Sequence, residues 1–469
     1  GAKVAWLGWD HPNMPWDGTM LYVAEVQPDG SFGPATVVAG GKDESIVQPV
    51  WAPDGSLIFV SDRTEWWNLY RWHDGQVMPL ATREAEFAHP QWVFGMSTYA
   101  FVDDVSIAAA ANRGGIWSLS LINIITGTET PIGLPYAEID DVHGAPETLL
   151  FIGASPMSGG TVVRLNITNG DIDELAHGSD LVIDSGYLSM PEPIAFPTEH
   201  DLTSHGFFYP PVNKDFSAPE GELPPLIVLS HGGPTSSTST SLSLKIQYWT
   251  SRGFAVLDVN YGGSTGYGRS YRQRLNDAWG IVDVDDCVNG AKYLIERGDV
   301  DPERITIRGG SASGYTTLAA LTFRDVFKAG ASLYGISDLE TMATDTHKFE
   351  SRYLDGLVGP YPAQKAIYEE RSPIHFIDRL DCPLILLQGL EDKVVPPDQS
   401  LKMFEAVKAK GIPVAYVPFE GEQHGFRQAA NIQRAMEAEL YFLSRVFAFP
   451  LADDIVPVEI ANAGALTRR

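Results

Sequence analysis

Hydrophobic and polar positions follow two different patterns along the chain. Up to about residue 187, short runs of β-branched and aromatic residues alternate with turn clusters, and no apolar stripe at helical spacing emerges. The run Val50 to Val60 shows the unit: a Pro53-Asp54-Gly55 turn leads into the apolar strand Leu57-Ile58-Phe59-Val60. A second strand, Trp67 to Trp72, follows, and a third comes after the turn at His73-Asp74-Gly75. Units of this kind lie over residues 4–40, 46–82, 87–133 and 139–176. A repeat of about 40–50 residues, each with several antiparallel strands, predicts a β-propeller. A β-sandwich with irregular spacing is the alternative. Trp51, Trp66, Trp67, Trp72 and Trp92 read as packing between blades.

From about residue 188 the pattern changes. Phe196 to Pro225 is rich in proline and polar residues and reads as a linker with entry strands. Leu226–Ser230 and Phe254–Val259 are continuous apolar runs, as expected of strands buried on both faces. A helix is predicted where Val284, Cys287, Val288, Ala291 and Leu294 recur at helical spacing, with Asp283, Asp285 and Asp286 near its N-terminus. Ile305–Ile307, Ala329–Tyr334 and Pro383–Leu387 continue the alternation of strand and helix. The expectation is a mostly parallel sheet covered on both faces. The predicted organisation is a propeller portion of about four blades over 1–187, an α/β domain over 188–450, and a C-terminal tail over 451–469.

Composition narrows the function classes. The 469 residues fit two domains, and 44% apolar with 20% charged residues is globular composition. The formal charge of −27 argues against nucleic acid or an anionic membrane surface as partner, because both are polyanions. No apolar run of about eighteen residues is present to span a membrane. Cys287 and Cys382 sit in apolar stretches without other ligands at metal-binding spacing. They read as buried free thiols in a reducing, cytoplasmic setting, with no metal and no cofactor expected. The opening Gly1-Ala2-Lys3-Val4-Ala5-Trp6 reads as a strand already under way, neither an initiator Met nor a signal peptide.

The segment Arg304 to Leu318 is a strand, a tight turn and a helix around Gly309-Gly310-Ser311-Ala312-Ser313. Such an elbow exposes a nucleophilic serine and needs small residues two positions before and after it. Ser311 meets that condition with Gly309 and Ser313, whereas Ser313 as nucleophile would place Tyr315 where bulk is excluded. An α/β-hydrolase orders its triad as serine, acid, histidine, each after a strand. Asp392 follows the strand Pro383–Leu387, with the adjacent Glu391 as a competing carboxylate, and His424 follows Val414–Phe419. The imidazole would take the serine proton, and the carboxylate would orient and stabilise the imidazole. Ser230-His231-Gly232-Gly233-Pro234, directly after the first long strand, supplies backbone N–H groups. Gly233 (with Gly232 as lesser candidate) and Ala312 are therefore the expected oxyanion hole. His231, Tyr261 in a glycine-rich loop, and Tyr315 beside the elbow are candidate substrate contacts.

These motifs resemble the prolyl oligopeptidase family, in its acylaminoacyl-peptidase and dipeptidyl-aminopeptidase-like branch. The matching stretches are His231 to Pro234, Asn260 to Gly268, Gly309 to Ala312, Gln388 to Asp392 and Gly421 to Phe426, with Trp6 to Asp17 similar to a propeller segment. The resemblance implies an N-terminal propeller paired with the hydrolase domain, substrate held between them, and access limited to short peptides or small molecules. Such relatives carry seven or eight blades, so four units and a start inside a blade point to a missing N-terminal propeller fragment, lost by truncation or cleaved and still bound as a partner. Self-association into a homodimer is a further expectation from the resemblance. Two departures stand out: Ser313 replaces a usual glycine, and Gly262 stands where relatives often have Arg. No acidic pair is recognisable for a substrate's free amino terminus, so dipeptidyl peptidase activity is not supported. The leading expectation is a serine peptidase cleaving amide bonds of short or N-blocked peptides. A small-molecule esterase, amidase or biosynthetic tailoring hydrolase on the same triad is the alternative. An inactive propeller scaffold is the third.

Overall fold

The computed structural model describes residues 1–468, and its chain forms two compact units. In the first unit, among the described residues, fifteen strands make four antiparallel sheets. These are β1 (Lys3–Gly8), β2 (Thr19–Glu25) and β3 (Thr36–Gly41); β4 (Ile46–Trp51), β5 (Leu57–Thr64), β6 (Trp66–His73) and β7 (Gln76–Ala81); β8 (Tyr99–Phe101), β9 (Ser106–Arg113), β10 (Ile116–Asn123) and β11 (Glu129–Ile132); and β12 (Glu138–Ala145), β13 (Thr148–Ser155), β14 (Ser158–Asn166) and β15 (Ile172–His177). Strands pair in chain order within each sheet, the meander of a propeller blade.

Local chemistry explains the meander. The β4–β5 turn closes because Asp54 accepts the Ser56 N–H at 2.9 Å while Gly55 takes a left-handed φ of +82°. Along β13, Leu149 and Phe151 are buried while Leu150 and Ile152 are exposed, the two-residue period of a strand. Buried faces then stack sheet on sheet. Leu21, Val23 and Ala39 meet Ile46, Leu57 and Phe59. Trp117 and Leu119 meet Ile139, Leu149 and Phe151. The predicted units correspond to these sheets, except that the third sheet starts only at Tyr99, after a long connection from β7.

The units are not two consecutive stretches. The first also contains residues 239–244 and 264–273. Within it, Arg269 and Arg272 both donate to one oxygen of buried Asp62, at 2.5 and 2.6 Å. Glu86 accepts the N–H groups of Gly266 and Gly268, and the Arg272 guanidinium lies 4.2 Å from the Trp67 ring centre. A single boundary at residue 187 therefore needs correction. The carboxylates of Asp62, within β5, and Glu86, after β7, are buried, and their partners come from a distant part of the sequence.

The second unit is built on an eight-stranded sheet, in the order β16-β17-β19-β18-β20-β21-β22-β23. Its strands are β16 (Glu192–Thr198), β17 (Leu202–Tyr209), β18 (Leu226–Ser230), β19 (Ala255–Asn260), β20 (Ile305–Gly310), β21 (Ala329–Leu333), β22 (Leu384–Gly389) and β23 (Val414–Phe419). β16 and β17 are antiparallel entry strands, and β18 to β23 run parallel. Every residue of β19 and β22 is buried, because helices cover both faces. Helices Val282–Arg297 and Ala312–Phe323 approach so closely that a Cβ on Gly290 would lie 2.8 Å from Leu257, and one on Gly330 would lie 2.3 Å from Leu321. On the other face Trp249 and the helix Ala429–Val446 close a core with Ile227, Val256 and Ile385. Residues beyond 450 are more than a tail: Ile455 and Val458 join that core, and Ala461 exchanges backbone hydrogen bonds with Val414 on the edge strand β23.

Candidate active site

The turn between β20 and the helix Ala312–Phe323 holds Ser311 at φ +58°, ψ −124°, a conformation that costs a non-glycine residue about 1–3 kcal/mol. Close packing holds it there. Ser311 N–H donates to Leu333 at 3.0 Å, and a Cβ on Gly309 would sit 2.3 Å from the Ser313 carbonyl oxygen. Ser313 fits at a usual glycine position because its hydroxyl closes the turn. It donates to Gly310 O at 3.0 Å and accepts from Gly310 N at 2.9 Å. Both roles of that hydroxyl are taken up within the turn, whereas the Ser311 hydroxyl faces His424.

His424 Nε2 lies 2.8 Å from Ser311 Oγ, and His424 Nδ1 lies 2.8 Å from Asp392 Oδ2. The other oxygen of Asp392 accepts the N–H groups of Val394 and Val395, both at 2.9 Å. Asp392 is buried and Glu391 exposed, which separates the two carboxylates of that turn. The turn carrying the histidine is fixed by Glu422. Burial pushes its carboxyl up, but hydrogen bonds from Asn431, Arg427 N and Gln428 N outweigh this and hold it below the usual range. Glu391 N–H donates to Glu422 O at 2.9 Å, so the turns that carry Asp392 and His424 are tied directly.

The loop after β18 runs past Ser311: a Cβ on Gly232 would lie 3.9 Å from its Cβ. Gly233 has φ +121°, which a side chain would strain. Ala312 opens its helix, so its N–H has no intrahelical acceptor. Tyr261 is buried, with its hydroxyl donating to Pro234 O at 2.8 Å and its ring stacked on His231 at 4.4 Å. Burial lowers the His231 pKa to about 4, so this imidazole is neutral near pH 7. Tyr315 is also fully buried. Its hydroxyl donates to Arg371 O at 2.9 Å and its ring packs on Trp279. The expectation that Tyr261 and Tyr315 touch substrate is therefore corrected: both are braces, whose hydroxyls have found buried carbonyls. Among the described residues no group of three His, Cys, Asp or Glu is placed to hold a metal ion, and no helix is long and apolar enough to cross a membrane.

Sequence reasoning missed Tyr334, which lies edge-on to the His424 ring, and Glu350. Burial raises the Glu350 carboxyl, while the imidazoles of His347 and His424 pull it down. Tyr334 had one legible signal, its place at the carboxyl end of the strand beside the elbow strand.

A profile of the prolyl oligopeptidase family matches residues 240–449. A puromycin-hydrolyzing peptidase of Mycobacterium tuberculosis superposes with a TM-score of 0.95 at 43% identity, over 98% of this chain and 70% of that one. The chain belongs to the prolyl oligopeptidase family. A puromycin hydrolase, also solved as a serine-to-alanine mutant complexed with PGG, is similar at 41% identity and a TM-score of 0.93, again over 98% and 70%. Among curated relatives, dipeptidyl aminopeptidase BIII of Pseudoxanthomonas mexicana is 34% identical over 44% of this chain and 31% of its own length. The acylamino-acid-releasing enzyme of Arabidopsis thaliana is 32% identical over 45% and 29%. The chain thus spans about a third of the length of these curated relatives. Against the family pattern, Gly262 has a physical reason: a Cβ there would lie 2.8 Å from Val282 and 2.9 Å from the Arg274 side chain.

Proposed function

We propose that this protein is a serine peptidase that cleaves amide bonds of short or N-blocked peptides through an acyl-enzyme on Ser311. The observation that carries the reading is the unbroken chain of contacts Ser311–His424–Asp392, at 2.8 Å and 2.8 Å. In that arrangement His424 Nε2 takes the Ser311 proton as Oγ attacks the carbonyl carbon, then returns it to the leaving amine. Asp392 holds Nδ1–H and balances the imidazolium. A water activated by the same imidazole releases the acid. The N–H groups of Gly233 and Ala312 receive the oxyanion, each worth about 10²–10³ in turnover. His231 and Tyr261 set the shape of the loop that bears Gly233. Cys287 and Cys382 are buried thiols, which supports a reducing, cytoplasmic setting.

A second reading, a small-molecule amidase on the same triad, is favoured by the two solved relatives named for acting on puromycin. Fluorophosphonate labelling with peptide mapping tests the shared core of both readings. The label is expected on Ser311 and absent in Ser311→Ala, with turnover lowered about 10⁶-fold. An unlabelled parent protein would overturn both. Turnover of acyl-amino-acid anilides against simple aryl esters then separates them, and an ester-only profile would sink the peptidase reading.

A further inference from the structure

Tyr334 occupies a strained position for which no packing rule calls. It directly follows β21 with φ +41°, a left-handed conformation that is a true outlier for a bulky side chain and costs about 1–3 kcal/mol. Strain of this kind persists only where neighbours over-determine it, and Tyr334 touches all three arms of the site. Its N–H donates to Leu387 O at 2.8 Å, on the strand that leads to Asp392. Its ring lies edge-on to the His424 imidazole, with centres 5.1 Å apart and planes at 64°. Its phenol end rests on Gly310, the residue before the nucleophile, where a Cβ would lie 2.8 Å from Cε2 and 2.9 Å from the hydroxyl oxygen. Phe426, two residues beyond His424, backs the ring at 90° and 5.3 Å.

We infer that Tyr334 is a positioning residue for the reaction, a wedge that sets the imidazole plane of His424 relative to Ser311 Oγ and keeps water from its flank. The inference rests on the hydrolase reading above. The ring acts here through shape. An imidazole held at Nδ1 by Asp392 can still swing about that bond, and the Tyr334 edge limits the swing on one side. The Arg308–Glu439 ion pair, bonded through two contacts at 2.7 and 2.8 Å, supports the same elbow strand from below. Burial raises the phenol, with the Arg308 guanidinium opposing, so the side chain stays neutral near pH 7.

Tyr334→Phe, Tyr334→Leu and Tyr334→Met test the wedge with an ester substrate and with fluorophosphonate. Phe keeps the ring and is expected within about threefold of the parent in kcat. Leu and Met are expected to lose about 10–100-fold in kcat, the loss typical of a misplaced base, with KM within about twofold. Their labelling rate at Ser311 should fall in parallel. The acid limb of their kcat/KM profile should rise by about half a unit as water reaches the imidazolium. Folded Leu or Met variants with parental kcat and an unmoved acid limb would overturn the inference. So would loss of folding in both, which would make the ring a core side chain. Failure of the hydrolase reading looks different, because the parent itself would then not label.

Discussion

Asp62 in the first unit and Asp283 in the second are both removed from solvent, yet their partners differ in kind. Asp62 takes two guanidinium groups on one oxygen and the Ser45 N–H on the other. Asp283 takes neutral donors, among them the Thr316 hydroxyl at 2.5 Å and the Gly280 N–H at 2.6 Å, and burial raises its pKa to about 6. Asp258, held by the Thr238 hydroxyl, is likewise raised by burial to about 6. Distance to the cation matters as well as its presence. Glu86 has a guanidinium nitrogen at 3.7 Å, and burial still raises its carboxyl. Buried acids with counter-ions hold segments distant in sequence, whereas those with neutral donors shape turns around the elbow. Asp392 is a third arrangement, two backbone N–H groups and an imidazole, and of the three it is the one linked through His424 to Ser311.

The largest effect should follow at Asp392. Asp392→Asn keeps the shape but disfavours the imidazole tautomer, so kcat should fall about 10⁴-fold with melting temperature little changed. Parental turnover would place the orienting carboxylate elsewhere and break the distinction between the three kinds. Next comes Asp62. Asp62→Asn leaves Arg269 and Arg272 buried without a full counter-charge and should cost about 3–5 kcal/mol in urea unfolding of the whole chain. A cost under about 1 kcal/mol would show that the cluster is solvated in solution. The smallest effect belongs to Asp283. Its native pKa lies near 6 and its unfolded one near 3.9, so across that window the native state keeps a proton that the unfolded state releases. The contribution of this group is complete below about pH 4 and is lost as pH rises through 6, by up to about 3 kcal/mol. Asp283→Asn should therefore flatten the fall in stability between pH 4 and 7. An unchanged slope would assign it to Asp258, Asp286 or Glu86.

What could be read in advance follows the same division. Strands buried on both faces announce themselves as unbroken apolar runs, and β18 and β23 begin and end where the sequence pattern places them. That Ser311, Asp392 and His424 come together was legible because parallel topology collects strand ends at one edge, so order and spacing imply proximity. The 264–273 segment was not, because nothing in the residue pattern shows that Asp62, which Arg269 and Arg272 contact, is buried. Tyr261 and Tyr315 were misread for a related reason. Nearness along the chain to a site says nothing about which way a side chain points, and buried carbonyls captured both hydroxyls. The strand end that carries Tyr334 was legible, but the left-handed dihedral that aims its ring was not.

Glu422 carries a consequence for motion. By clasping the start of the last helix it converts the histidine turn from a loop into an extension of that helix. The base is then set before any ligand arrives, and its ordering entropy is settled during folding, not at each turnover. An opening that admits substrate is then expected in segments that lack such a clasp, and residues 421–431 are expected to exchange their amide protons as slowly as the helix they join.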